Sequence, residues 1–423
     1  MRGLDDAGAG DPLEATVRAA LDRRLRRDIE APLAVALSGG GDSLALALIL
    51  AGWARDAGRS LLILTVDHRL RAESEAWAQA CAETAGRLSA RFQALTWDGP
   101  KPPNGIAAAA RQARHRLLAQ AARAAGARVI LMGHTASDVA EAEAMRAAGS
   151  TTPSPKAWSP SPVWPQGRGL FILRPMLGLT REAVRAWLAA RRETWIDDPA
   201  NADPESARVQ ARAQTAGQAP SAASDPATLS LGESCRFDPA GGVYLSRQAL
   251  RDATPEDGAA LIGIATVCAG GGDRLPSSER LRRLREILTS EAGAATSLAG
   301  ARIETAKDEV SFLREPGEAK RGGLATLYLT PGKPLVWDGR FEFTASRPGL
   351  HVDRLEGLSR RLPKPEQLAL RPFAPKARLG LPALVDGEAI SCPALQPVEG
   401  VETRLLVAER LFAACGLVER EPA

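Results

Sequence analysis

One stretch, residues 33–50, constrains the fold of this chain more than any other. It reads LAVALSGGGDSLALALIL, in which a polar hexapeptide separates two apolar runs, Leu33–Leu37 and Leu44–Leu50. A short aliphatic run is typical of a buried parallel strand, and an apolar run without a polar face is typical of a helix packed on a sheet. The stretch therefore predicts a strand, a glycine loop and a helix of an α/β domain.

The hexapeptide between the runs has the composition of a phosphate-binding loop. Its three glycines permit positive φ angles and a close approach of the backbone to a ligand. The loop amides and the positive end of the following helix favour an anion, and Ser38 and Ser43 add hydroxyl donors. Asp42 adds a carboxylate that predicts a Mg²⁺ ligand. No lysine follows the glycines, which excludes the common Gly-x-x-x-x-Gly-Lys-Ser/Thr loop. A glycine turn without a ligand is the alternative.

Polar residues also follow the other predicted strands. Asp67, His68 and Arg71 come after the apolar run 61–66, and His134 comes after the run 128–132. Because the carboxyl ends of parallel strands line the ligand crevice of an open sheet, these residues are candidates for nucleotide contacts. His134 has packing as its alternative role.

Two predicted helices carry further candidates. Arg111 and Arg114, three residues apart on the helix predicted over 106–125, share a face and suit phosphate contacts. Asp138 and Glu141 lie at helical spacing after His134, so one helix face presents two carboxylates. A solvated acidic helix start, favoured by the helix dipole, is the alternative interpretation of this pair.

The alternation of strands and helices predicts a doubly wound parallel-sheet domain followed by two smaller modules, the first mostly helical and the second α+β. We expect domains at 1–213, 227–330 and 331–423, with a linker of small residues at 214–226. Residues 150–169 lack periodicity and are expected to form a mobile loop that acts as a lid.

Composition narrows the class of protein. The formal net charge is +4 and the basic residues are mostly arginine, which permits a polyanionic partner. Five scattered cysteines indicate a reducing compartment rather than a disulfide framework. The chain shows no signal peptide and no apolar run long enough for a bilayer, so a cytoplasmic protein without membrane contact is expected. The residues expected to contact phosphates are Arg280, Arg282, Arg283, Arg285, Arg354, Arg360, Arg361, Lys364, Arg371, Lys376 and Arg378.

Together these motifs resemble a known family. The hexapeptide looks like the pyrophosphate (PP) loop of N-type ATP pyrophosphatases, and within that superfamily the chain resembles the tRNA(Ile)-lysidine synthetases. The resemblance runs from the loop to about Arg212, with a weaker similarity at 337–341. The matching pieces, in chain order, are Ser38–Ser43, Val66-Asp67-His68-x-Leu70-Arg71-x-x-Ser74, Ala110-Arg111-x-x-Arg114, Gly133-His134-x-x-x-Asp138-x-x-Glu141, Arg174-Pro175-Met176-Leu177 and Asp197-Asp198-Pro199-x-Asn201.

The resemblance implies an ATP- and Mg²⁺-dependent ligase, a monomer or homodimer, that joins L-lysine to C2 of the wobble cytidine of a tRNA(Ile) with a CAU anticodon. Its implied catalytic residues are Asp42, Asp138 and Glu141, with Asp42 as metal ligand. Its implied ATP contacts are Ser38, Gly39, Gly40, Gly41, Asp42, Ser43, Asp67 and His68. Its implied substrate contacts are Arg71, Arg111, Arg114, His134, Arg174, Asp198, Asn201 and Arg208.

Some positions depart from the family pattern. Ser137 and Ala142 stand where the family usually has aspartate and threonine, and His115 stands where an aromatic residue is common. A tRNA thiolase, an amide-forming ligase and a non-catalytic nucleotide-binding relative therefore remain alternatives. For residues 197–201 a simple turn is the alternative role.

Overall fold

The computed structural model describes residues 11–71, 73–149, 154–197, 211 and 229–423. They form two compact units, the first drawn from Met1–Ala227 and Val418–Ala423, the second from Thr228–Leu417. The chain therefore returns to its first unit after completing its second. The linker at 214–226 lies outside the described residues, and the division of the second unit near residue 330 stays a prediction.

The first unit alternates strands and helices along most of its length. Its helices are α1 (Pro12–Arg24), α2 (Gly41–Asp56), α3 (Ser74–Arg87), α4 (Ile106–Ala124), α5 (Ala136–Ala147) and α6 (Arg181–Ala190). Its strands are β1 (Leu33–Ala36), β2 (Leu61–Asp67), β3 (Arg91–Thr96), β4 (Val129–Met132), β5 (Trp158–Pro160) and β6 (Phe171–Leu173).

These strands form one sheet in the order β3-β2-β1-β4-β6-β5, parallel except for the antiparallel edge strand β5. Alternate side chains of β1 point to opposite faces of the sheet. Ala34 belongs to a buried cluster with Leu118 and Ala122 of α4. Helix α2 packs against β1, α1 and α6. The expected doubly wound α/β fold is confirmed, and it brings the carboxyl ends of β1, β2 and β4 to one edge.

The segment expected to be a mobile loop at 150–169 is instead structured over its described part. Its strand β5 pairs with β6, and the ring of Trp158 stacks on Phe171 with centroids 4.7 Å apart. Trp158 is buried, and its indole nitrogen donates a hydrogen bond to the carbonyl of Val418 (2.6 Å). The expectation was wrong because a three-residue strand between prolines has no period that sequence reasoning can detect.

The segment Val418–Ala423 packs on the start of the first unit. The carboxylate of Glu421 pairs with the guanidinium of Arg59 at 2.8 Å, and both side chains are fully buried. Glu421 also accepts a hydrogen bond from the amide of Arg26, and its own amide donates to the carbonyl of Arg24. A buried pair with its hydrogen bonds satisfied resists the loss of either partner, so this segment is an integral part of the first unit.

The second unit is built on three antiparallel sheets and short helices. Its helices are α7 (Arg247–Asp252), α8 (Pro255–Gly270), α9 (Ser278–Thr289), α10 (Lys364–Ala369), α11 (Pro375–Leu379) and α12 (Val407–Ala414). The first sheet contains β7 (Arg236–Phe237), β8 (Val243–Ser246), β9 (Ala295–Leu298), β10 (Ala301–Thr305) and β11 (Glu309–Arg314). The other two contain β12 (Leu327–Tyr328), β15 (His351–Arg354), β16 (Pro382–Asp386) and β17 (Ala389–Ser391), and β13 (Leu335–Trp337), β14 (Phe341–Ala345) and β18 (Val401–Leu405).

The motif at residues 337–341 lies in the interior of this second unit. Asp338 is buried between Arg314 and Arg340, and accepts hydrogen bonds from both guanidinium groups. Arg340 also donates to the carbonyl oxygens of Ala240 and Gly380. The motif thus has a structural role here, because it joins distant segments of the unit through a buried and hydrogen-bonded ion pair.

Candidate active site

The glycine loop connects β1 to α2 as the sequence predicts. Gly39 has a φ of +83°, which a glycine adopts without strain, and its carbonyl accepts a hydrogen bond from the amide of Ile196 (3.0 Å). The hydroxyl of Ser43 donates to the carbonyl of Gly40 (2.9 Å) and accepts from the amide of Ser38 (3.2 Å). The loop is therefore held in shape by its own serines, with the positive end of α2 beneath it.

A second glycine brings the end of β4 against this loop. A Cβ atom at Gly133 would lie 2.7 Å from the carbonyl oxygen of Asp42 and 2.8 Å from the Cα of Ser43. Because those neighbours are backbone atoms, no rotamer change could relieve the contact. Gly133 is thus required for the close approach of the two segments.

A cavity of about 930 Å³ opens above the loop and the neighbouring strand ends. Its volume lies in the range of small-molecule and cofactor sites. Among the sequence-predicted residues, those that line it are Ser38, Gly40, Gly41, Asp42, Ser43, Asp67, His68, Arg71, Arg114, His134 and Asp138. Gly39, Arg111, Glu141 and Arg174 are not part of its lining. Asp198, Asn201 and Arg208 lie outside the described residues.

The three predicted catalytic carboxylates converge on a residue that sequence reasoning missed, Arg181. Its Nε atom lies 3.2 Å from Asp42, its Nη2 atom 3.4 Å from Asp138, and its Nη1 atom 3.0 Å from Glu141. A signal for it was present, because Arg181 follows the helix cap Thr180 and places a positive charge at the positive end of α6. Such an unfavourable position indicates a partner elsewhere.

Burial shapes the electrostatics of this cluster. It raises the pKa of Asp42 above its ordinary value, against the opposing effect of Arg181. Burial also acts to lower the pKa of Arg181, but the charges of Asp138, Glu141 and Asp42 outweigh it and raise the pKa overall. Arg181 therefore stays protonated, and its charge favours the ionised form of the carboxylates around it.

Asp42 and Asp138 differ in how their oxygens are used. The buried Oδ1 atom of Asp42 has no hydrogen-bond partner among the described residues. In Asp138, by contrast, Oδ2 accepts from the amide (2.8 Å) and the hydroxyl (3.1 Å) of Thr135, which makes a capping box for α5. The cap leaves the negative charge of Asp138 in place, so the structural and the functional interpretations of this residue are compatible.

A cluster of basic groups lies next to the cavity. Arg174 donates from Nε to Nδ1 of His134 (3.1 Å), so a neutral His134 carries its proton on Nε2. Burial, followed by the charges of Arg111 and Arg114, lowers the pKa of Arg174 to about 10. The grouping of positive charges suits an anion.

His115, one of the departures from the family pattern, is buried in this cluster. Burial, followed by the charges of Arg114 and Arg111, lowers its pKa to about 2. The imidazole is therefore neutral at physiological pH. A neutral, buried ring fills the place of an aromatic side chain, which accounts for the substitution.

Two further predicted residues lie at the end of β2. Asp67 accepts a hydrogen bond from the amide of Arg69 (2.7 Å), which fixes its carboxylate at the rim of the cavity. The ring of His68 makes an edge contact with Trp97, with centroids 5.9 Å apart. Burial, then the charge of Arg114, lowers the pKa of His68, so its imidazole is neutral and can contact a ring or a hydroxyl.

The basic residues expected to contact a polyanion belong to the second unit. On α9, Arg280, Arg282 and Arg283 are exposed. Arg285 is not part of that exposed face, because it follows the buried Leu281 by four residues and donates to the carbonyls of Leu250 and Ala253. The expected four-arginine face is thus reduced to three. Of the later group, the exposed members are Arg360, Arg361, Lys364, Arg371 and Lys376.

Metal clusters and membrane spans are both absent from the described residues. Within that part of the chain, no three His, Cys, Asp or Glu side chains are grouped so as to hold a metal ion. None of the helices described there is both long and apolar enough to cross a membrane.

Comparison with known proteins follows the same division of the chain. A family model for a PP-loop domain matches residues 13–218. The tRNA(Ile)-lysidine synthase of Caulobacter vibrioides is 47% identical over 414 residues, which cover 96% of this chain and 98% of that protein. The enzyme of that name from Hyphomonas neptunium is 34% identical and covers 75% of this chain and 91% of its own. A solved U34-tRNA thiolase from Methanococcus maripaludis matches 48% of this chain and 71% of its own at 15% identity, with a TM-score of 0.39.

The close approach at Gly133 leads to a first prediction. Gly133→Ala should weaken ATP binding about tenfold or more, because an added methyl group displaces the loop at a cost of about 1–3 kcal/mol. Isothermal titration calorimetry measures the change. Gly86→Ala in α3, where a Cβ atom meets nothing within 4 Å, is the matched control and should bind ATP normally. Unchanged affinity in Gly133→Ala would show that the close approach is unimportant for binding.

The buried His115 leads to a second prediction. Its folded-state pKa lies below the unfolded one, so the unfolded chain binds the extra proton and stability falls as the pH drops below about 6.5. Between pH 7 and pH 5 the free energy of unfolding should lose about 2 kcal/mol through this residue. Denaturant unfolding of His115→Phe should lack that loss. The same pH dependence in the variant and the parent would contradict the assignment.

Proposed function

This chain belongs to the tRNA(Ile)-lysidine synthase family, and we propose from that premise that it joins L-lysine to C2 of the wobble cytidine of a tRNA(Ile) with a CAU anticodon. The reaction consumes ATP and releases AMP and pyrophosphate. The observation that carries the proposal is the juxtaposition of the phosphate loop with the carboxylates Asp138 and Glu141 around one cavity. An anion-binding loop next to paired carboxylates suits a nucleotide and an ammonium group at once.

The first step activates the base. The C2 oxygen of the cytidine attacks the α-phosphorus of ATP, the α–β phosphoanhydride bond breaks, and pyrophosphate leaves. The amides of the loop at residues 38–43 and the positive end of α2 hold the phosphates. The chain contributes positioning and charge stabilisation, which suffice because the adenylated oxygen is a good leaving group.

The residues present fit a Mg²⁺ ion at Asp42. Its Oδ1 atom is buried and lacks a hydrogen-bond partner among the described residues, and carboxylate oxygen is a preferred ligand of this ion. Since no larger acidic or histidine cluster exists in the described part of the chain, ATP oxygens and water would complete the coordination. The ion, when bound, neutralises charge on the phosphates.

The second step transfers the amine. The ε-amino nitrogen of lysine forms a bond to C2, the C2–O bond breaks, and AMP leaves with the oxygen. Asp138 and Glu141 are well suited to bind an ammonium group of lysine, and one of them to accept the proton that the attacking amine must lose. Both are buried, which strengthens an ion pair relative to one in water.

The state of the cysteines favours this reaction over that of a tRNA thiolase. All five cysteines are free and buried. Burial raises the pKa of Cys81, and it raises that of Cys235 to about 12, so these thiols are not the accessible, ionised nucleophiles that sulfur transfer requires. Free thiols also suit a reducing compartment, and we propose that the protein acts in the cytoplasm as a monomer or a homodimer.

Contacts with tRNA are assigned to both units. Arg71, Arg111, Arg114 and Arg174 lie at or next to the cavity, where a flipped cytidine and its flanking phosphates would enter. The exposed basic residues of the second unit would contact the backbone further along the tRNA, which positions the nucleic acid without reading its sequence.

The test of this function is a product assay. Sustained pyrophosphate and AMP release should require both tRNA(Ile) and lysine, which separates this enzyme from a thiolase, an amide ligase and a nucleotide sensor. Asp138→Asn and Glu141→Gln should each raise the KM for lysine about 10- to 100-fold, because a buried charged hydrogen bond contributes about 1.5–3 kcal/mol, and leave the KM for ATP nearly unchanged.

Glu143→Gln is the control for these variants, because it removes a carboxylate from the exposed side of the same helix. It should leave both constants unchanged. If ATP affinity collapses in the Asp138 and Glu141 variants while lysine dependence stays normal, these carboxylates belong to the nucleotide site.

The role of the second unit is tested by salt dependence. Replacing Arg280, Arg282 and Arg283 with glutamine should weaken tRNA binding and lower the slope of log K against log salt by about 0.7–0.9 for each phosphate that the protein no longer neutralises. The control replaces three exposed arginines of the first unit that lie away from the cavity, Arg55, Arg91 and Arg128. Identical slopes for the two triple variants would remove α9 from the tRNA interface.

A further inference from the structure

Arg181 connects two halves of the candidate site. Its guanidinium contacts Asp42 on the side of the phosphate loop, and Asp138 and Glu141 on the side proposed for the amine. Each contact uses a different nitrogen atom of the guanidinium. Arg181 also lines the cavity itself, so a bound ligand would meet it directly.

The position of Arg181 argues against a role in helix stability alone. Its side chain is only 12% exposed, and Thr180 already caps the helix that it begins. A positive charge in the first turn is repelled by the helix dipole. The residue is therefore held by its carboxylate partners rather than by its helix.

One guanidinium cannot compensate three carboxylates fully, so the three share it. Binding of a nucleotide with its cation would draw the charge of Asp42 toward the metal, and the phosphates would attract Arg181 into the cavity. Asp138 and Glu141 would then lose part of their compensation. An ammonium group should bind to them more strongly in that state, because its competitor has been drawn away.

We propose that Arg181 is a positioning residue that couples the two small substrates. It occupies Asp138 and Glu141 while the nucleotide site is empty, and it releases them when the nucleotide binds. The affinity for lysine therefore depends on the nucleotide, and by thermodynamic linkage the affinity for the nucleotide depends equally on lysine. This inference rests on the proposed function, because it takes lysine as the ligand of these carboxylates.

The experiment is a lysine titration of the full-length protein by calorimetry, with and without Mg²⁺ and an ATP analogue that has a methylene group between the α- and β-phosphates. In the parent protein the analogue should tighten lysine binding about fivefold or more, the range of ordinary coupling energies. In Arg181→Gln, lysine should bind the nucleotide-free protein more tightly than it binds the parent, and the analogue should change its affinity by less than about twofold.

Two further variants sharpen the result. Arg191→Gln removes an arginine from the other end of α6, where it pairs with Asp11, and should keep the coupling of the parent. Arg181→Lys keeps the charge but cannot reach three carboxylates with one compact ammonium, so its coupling should be reduced. It also replaces Arg181→Gln as the test if circular dichroism shows that the latter does not fold.

Full coupling in the folded Arg181 variants would overturn the inference. So would an equal weakening of lysine binding with and without the analogue, because that pattern indicates a structural role. A parent protein that makes lysidine but shows no coupling would overturn the inference alone. A parent protein that neither binds lysine nor makes lysidine would overturn the proposed function together with it.

Discussion

The candidate active site depends on a close approach of backbone segments that side chains would prevent. The loop after β1 packs against Gly133 at the end of β4, where a Cβ atom would lie 2.7 Å from a carbonyl oxygen. The same loop bonds through Gly39 to the amide of Ile196. Phosphate-binding amides and the strand ends that carry polar residues are thereby brought to one edge of the sheet. The polar side chains contribute chemistry, but the absence of side chains at two glycines sets the geometry.

Structural and chemical roles coincide in several residues of this site. Asp138 caps a helix through one oxygen and meets Arg181 through the other. His115 fills a packing position as a neutral ring, yet it lies among the arginines that border the cavity. A choice between a structural and a functional interpretation, made from the sequence, is therefore a choice between roles that a buried site combines. The cost of burying these charges is offset by satisfying each of them more than once.

The sequence predicted what local patterns encode. The apolar runs around the glycine loop identified β1 and α2, and the polar residues after β2 and β4 were expected at the cavity because parallel strands end together. Strand β5 was missed because its partner strand, rather than its own pattern, makes it a strand. Arg181 was missed because site residues were expected at strand ends, whereas this residue reaches the site from the start of a helix. Arg285 was assigned to the wrong face although its spacing from Leu281 indicated the buried one.

The buried pair between Arg59 and Glu421 has a consequence for the biosynthesis of the protein. Its two members are 362 residues apart in the chain. At a translation rate of about 5–20 residues per second, Glu421 is made about 20–70 s after Arg59. During that interval the nascent first unit holds an arginine whose partner does not yet exist, while the whole second unit is synthesised. The first unit therefore reaches its final packing only after translation of the second, and a ribosome-bound chain carries an incomplete catalytic domain.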